Sequence, residues 1–173
     1  MEKIFFAAFI LLVNTINLIH SQTDESIKLR GNLEWHTNLK EAEETSFESG
    51  KPVFAFFTGS DWCIWCRKMQ ENVFSKQEFI DWATPNVVLL ELDFPRHSQL
   101  SEELTQQNNA LKQSLRVNSY PTIMILKIVK YESANNYKFI PIGGLGYPDN
   151  PEPGNEQEIF LNNANKILAT LKK

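Results

Sequence analysis

Cysteine is nearly absent from this chain: Cys63 and Cys66 are the only two in 173 residues. Together they supply half of a tetrahedral zinc site, and His36 and His97 stand at no ligand-like spacing that would complete it, which argues against a metal. Runs of one charge are absent as well. The formal charge is −4, and no lysine and arginine cluster is interleaved with aromatics, which argues against a nucleic-acid partner. No Asn-x-Ser/Thr sequence occurs, and the C-terminus, Thr170-Leu171-Lys172-Lys173, is not an endoplasmic-reticulum retention signal. The one long apolar run, Ile4 to Val13, is cut by Asn14 and Asn17 below the ~18 residues expected of a spanning helix. What is present is an ordinary globular composition, 42% hydrophobic and 22% charged, with length for one cored domain.

The N-terminus has a pattern of its own. Lys3, the apolar run, and a mixed stretch ending at Ser21-Gln22 form the layout of a secretory signal peptide cleaved near Ser21/Gln22, with an uncleaved anchor as the alternative. The expected organisation is a signal peptide at 1–21, a loose polar lead-in at 22–32 and one domain at 33–173. No cysteine follows the run to receive a lipid, and removing residues 1–21 leaves the charge at −4. Such a domain is exported, and the missing glycosylation and retention signals favour the periplasm or cell envelope of a bacterium.

Within the domain, Leu33 to His36 reads as a short strand, and Leu39, Ala42 and Phe47 fall at helical spacing before Gly50. Pro52 to Phe57 is a continuous apolar run, as in a strand buried on both faces. A helix is expected over Arg67 to Val73, and Ser75-Lys76-Gln77-Glu78 has the form of a capping box opening another. Val87 to Leu92 is strand-like. Leu104, Leu111 and Leu115 mark one face of a helix, Pro121 to Leu126 and Tyr137 to Ile142 are two further strands, and a terminal helix carries Ile159, Phe160, Ile167, Leu168 and Leu171. With the two successive helices after the cysteines counted as one, the order β α β α β α β β α indicates a sheet covered by helices.

The two cysteines fall at a strand-to-helix junction, in "FTGSDWCIWCRKM". A thiol in the first turn of a helix faces unpaired backbone N–H groups and the positive end of the macrodipole, which favour thiolate; Cys63 is there, and Cys66 lies a turn further in. Two intervening residues leave both sulfurs on one side, so the pair can cycle between dithiol and disulfide, with Cys63 attacking and Cys66 resolving. A purely structural disulfide would close a tiny loop, the least stabilising kind. Covalent haem would need histidine where Arg67 stands.

The stretch "KPVFAFFTGSDWCIWCRKM" resembles the active-site strand and helix of the thioredoxin superfamily, in particular its exported bacterial members with a Trp-Cys-x-x-Cys site. "VNSYPTIMIL" is similar to that family's cis-proline segment, "NVVLLELDFP" to the strand between, and the likeness spans roughly Leu33 to Leu171. It implies a thioredoxin-like fold, a central mixed β-sheet flanked by helices, and no cofactor. It also implies that Trp62 packs beside the sulfur and that Pro121, in cis, leaves the Tyr120 main chain free to pair with an extended client. The buried aspartate that serves thioredoxin as a proton relay has its matching place at Ala55 or Phe56, so Asp61 and Glu91 become the candidates for that role.

The function so implied is thiol-disulfide exchange on exported proteins, as a reductase or isomerase recharged by a membrane electron donor. No histidine lies between the cysteines, which favours a potential near thioredoxin's roughly −270 mV over the roughly −120 mV of strong periplasmic oxidants. The alternatives are a disulfide-donating oxidase and a non-catalytic module holding clients against Trp62, Trp65 and Tyr120.

Overall fold

A computed structural model describes residues 27–130 and 137–172. The expected signal peptide and the first residues of the lead-in lie outside the described residues. The apolar run becomes a central strand, Val53–Thr58, in which all six residues are buried. Alternation divides it between two cores: Phe54 and Phe56 point to one side, Val53, Ala55 and Phe57 to the other.

In chain order the strands are β1 (Ile27–Arg30), β2 (Leu33–His36), β3 (Val53–Thr58), β4 (Val88–Asp93), β5 (Thr122–Lys130) and β6 (Tyr137–Leu145). They form one mixed sheet in the order β1-β2-β4-β3-β5-β6. The β2, β4 and β3 strands run parallel, while β1, β5 and β6 pair antiparallel with their neighbours. Helices α1 (Leu39–Ser49) and α4 (Glu102–Ser114) bring Ala42 and Leu111 to one face. Helices α2 (Ile64–Met69), α3 (Gln77–Asn86) and α5 (Glu156–Ala169) cover the other, where Trp35, Phe54, Phe56, Phe74, Phe79 and Phe160 are buried. Burying each such aromatic contributes roughly 1.5–3 kcal/mol. The ends of α1 follow its sequence: Asn38 caps it by accepting from Lys40 N–H and Glu41 N–H, and Gly50 ends it at φ 69°.

Three local features differ from the expectation. The lead-in contains β1, Ile-Lys-Leu-Arg, whose Lys28 and Arg30 pair with Glu91 across the sheet, a long-range attraction that four residues alone do not advertise. The helix expected over Arg67 to Val73 is α2 beginning at Ile64, followed by a π-helical turn, Gln70–Phe74. The capping box does not form: Lys76 occupies the cap position without a side-chain bond, while Ser75 belongs to the π-turn, its N–H donating to Gln70 O at 2.9 Å and its Oγ to Glu71 O at 2.7 Å.

Candidate active site

The end of β3 leads into a tight turn that delivers Cys63 to the start of α2. Trp62 N–H and Cys63 N–H both donate to Gly59 O, at 3.3 and 2.8 Å. Glycine is required at 59, since a Cβ there would lie 2.4 Å from the Trp62 ring. Cys63 is the N-cap of α2, and its Sγ accepts from Cys66 N–H at 3.1 Å. An N–H aimed at that sulfur stabilises a thiolate more than a thiol. Cys63 and Cys66 are joined as a disulfide with Cα atoms 5.2 Å apart. Cys66 is fully buried and Cys63 keeps 4% exposure, so an incoming sulfur meets Cys63 first.

The turn is laced to the segment that follows β4. Asp93 is buried at the strand end, accepting from Ser60 N–H at 2.8 Å and Ser60 Oγ–H at 2.5 Å. Trp62 Nε1–H donates to Phe94 O at 2.8 Å. Asp61 reaches the other way, its carboxylate accepting from Arg96, His97 and Ser98 N–H. These bonds hold the carboxyl of Asp61 low, at about 2 against an ordinary 3.8.

The Tyr120-Pro121 peptide is cis, and the Tyr120 ring meets the Trp62 ring edge-on at 5.6 Å. Trp62 and Tyr120 both pack against the core cluster that holds Cys63 and Cys66. Asp61 and Glu91, the relay candidates, have other partners: Asp61 holds the loop, and Glu91, 1% exposed, binds Lys28 Nζ at 2.9 Å and the Arg30 guanidinium. The matching positions Ala55 and Phe56 are fully buried and apolar.

Several members of the site were not singled out from sequence. A groove of about 570 Å³ runs beside Pro121, walled by Trp65 and Tyr147. Their rings are 5.2 Å apart, and Tyr147 Oη accepts from Asn72 Nδ2 at 2.9 Å. Asn72 is on the π-turn and Tyr147 in the loop before α5, a pairing distant in sequence and unmarked by any motif. Asp93 and Ser60 did leave a signal, since Ser60 sits inside the quoted motif and Asp93 ends the strand-like run that Asp93-Phe94-Pro95 breaks. Among the described residues no group of histidines, cysteines and carboxylates could hold a metal ion.

A mixed sheet with a bonded Cys-x-x-Cys pair at a helix start and a cis-proline just before β5 defines a thioredoxin-like redox domain. The sequence matches the thioredoxin-like domain family over residues 39–128, and the chain belongs to that family. It is 37% identical over 116 residues to the disulfide bond reductase DsbH of Chlamydia pneumoniae, covering 67% of this chain and 69% of that one. It is 33% identical over 112 residues to the thioredoxin-related protein DsbJ of the same organism, covering 65% of this chain but only 30% of that longer one. Among solved structures, the DsbH oxidoreductase superposes with a TM-score of 0.64 at 29% identity, covering 82% and 91% of the two chains. A thioredoxin from Thermus thermophilus shares the fold, with a TM-score of 0.51 at 18% identity and coverages of 76% and 84%. The chain is a thiol-disulfide oxidoreductase with Cys63 and Cys66 as its cysteine pair.

Proposed function

We propose that this oxidoreductase works as a reductase or isomerase of disulfides in exported proteins. The observation that carries the reading is the N-capping Cys63 sulfur, which receives the Cys66 N–H, next to a Trp62 whose ring meets Tyr120 of the cis Tyr120-Pro121 peptide. In the reducing direction, Cys63 thiolate attacks one sulfur of a client disulfide, forming a mixed disulfide and releasing the other client sulfur as thiolate. Cys66, deprotonated, then attacks Cys63 Sγ; the client leaves as its second thiolate, and the Cys63–Cys66 bond stores the oxidation. Two electrons pass to the client, whose thiolates take up the protons of the two enzyme thiols. A dithiol donor on the membrane side restores the pair by the same exchange. Trp62, Tyr120 and Pro121 shape the client surface. Asp61 and Glu91 have committed partners, so the proton of Cys66 passes to solvent or to the leaving client thiolate.

The relationship to a disulfide bond reductase supports the direction. The apolar run at Ile4 to Val13 supports export, with 1–21 as signal peptide and the bacterial periplasm as destination. Among the described residues no helix is long and apolar enough to cross a membrane. N-terminal sequencing of the protein from an envelope fraction is expected to begin at Gln22.

The deciding experiment is the reduction potential of the pair, read from tryptophan fluorescence across a thiol series. A value near roughly −270 mV assigns the reductase, and one near roughly −120 mV makes the protein a disulfide donor. Cys66→Ser is expected to accumulate the mixed disulfide and Cys63→Ser to abolish it. Client binding that survives Cys63→Ser without turnover would favour the binding module.

A further inference from the structure

Trp62 is the residue a client would be expected to meet beside Cys63, yet both of its faces are occupied. Gly59 lies under the ring, and the Arg96 guanidinium lies over it, 3.8 Å from the centroid. What the redox surface presents on this side is therefore Arg96. Next to it, Lys112 Nζ sits 5.1 Å from the Tyr120 ring and 5.2 Å from the Phe94 ring. Trp62, Tyr120 and Phe94 are mutually in contact, so the two cations stand on one aromatic cluster beside the cysteine pair.

Neither cation is ion-paired among the described residues, whose salt bridges all lie elsewhere. The nearest carboxylate in the loop, Asp61, turns its oxygens to the main-chain N–H groups of residues 96–98. On the opposite wall of the site, Lys68 stacks on Trp65 but shares its groove with two carboxylates, Asp149 and Glu156, so charge there is net negative. Arg96 and Lys112 therefore carry positive charge at the redox surface that no side-chain ion pair engages, as does the exposed Arg67 on α2; of the three, Arg96 and Lys112 stand on the aromatic cluster. An aromatic platform fixes the guanidinium while leaving its edge donors free, an arrangement suited to a carboxylate.

We infer that Arg96 and Lys112 form a carboxylate-recognition site on the client surface, which selects disulfides flanked by Asp or Glu. This rests on the oxidoreductase reading and names the substrate class within it. The test uses two disulfide-bridged peptides differing only in Glu or Lys beside the attacked cysteine, together with serine-for-cysteine versions of each. The Glu peptide is expected to be reduced about five- to tenfold faster in kcat/KM at low ionic strength, with the ratio shrinking as salt is added. Arg96→Gln or Lys112→Gln should lower the ratio, and Arg96→Glu should reverse it. The serine peptides, titrated against the oxidised protein by tryptophan fluorescence, should show the same preference in affinity. Equal rates and affinities, a preference for Lys, or a ratio that the three variants leave unchanged would overturn the inference. If neither cystine peptide is reduced but the acidic serine peptide still binds better, the recognition site stands and the redox reading fails.

Discussion

Asp61, two residues from Cys63, stays ionised, and its oxygens turn to the backbone N–H groups of residues 96–98. Its carboxyl is lowered from 3.8 to about 2, so its contribution to stability is complete above pH 3.8 and is lost as the pH falls through 2. Asp61→Asn is therefore expected to flatten the acid limb of a denaturation-midpoint profile between pH 5 and pH 2. Glu43 on α1 behaves in the opposite sense. Burial, then the neighbouring Glu44 charge, raises its carboxyl from 4.5 to about 7, with Lys40 pulling the other way. The fold holds that proton more tightly than the unfolded chain, so this stabilisation is complete below pH 4.5 and disappears as the pH rises through 7. Glu43→Gln should raise Tm at pH 8 and leave it nearly unchanged at pH 4.

At the scale of elements, β1 shows how a strand of ordinary composition is recruited. Its Lys28 and Arg30 reach a carboxylate that is 1% exposed on the central strand β4, and Arg30 also covers the Trp35 ring at 5.5 Å. Removing one partner of a buried pair leaves the other charge uncompensated, at a cost of about 3–5 kcal/mol, reduced here because Lys28 remains. Arg30→Met is expected to lower urea stability by about 2–3 kcal/mol, and adding Glu91→Leu to recover most of the loss, a coupling that a double-mutant cycle measures. The same element explains what was hidden in the sequence. Strands β2 to β5 and helices α1, α4 and α5 were legible because apolar period and caps are local signals. β1 and the π-turn depend on partners 63 residues away in one case and on Ser75 bonding back to Gln70 O and Glu71 O in the other. The cysteine pair and cis-proline were legible from motif and resemblance, while Arg96 and Tyr147 entered the site only through tertiary approach.

For the whole molecule, the redox bond is a minor stabiliser. It closes a loop of two intervening residues, for which chain entropy allows about 2 kcal/mol. Cys66 belongs to the same core as Trp35, Phe54 and Phe160. That core does not depend on the bond. Reduction is expected to lower Tm by less than about 10 °C with a single cooperative transition, as followed by calorimetry with and without dithiothreitol. A much larger drop would return the bond to a structural role. The π-turn, finally, sets a phase. Its extra residue displaces everything after it by about 100° around the helix axis, and Asn72 thereby faces Tyr147 and Glu156. A chain shortened by one residue here would keep its cysteines but turn Asn72 away, unlatching the loop before α5, and would rotate Val73 and Phe74 in the core. Length between Met69 and Ser75 is thus a coordinate of the active site in its own right, one that substitution cannot adjust and only insertion or deletion can.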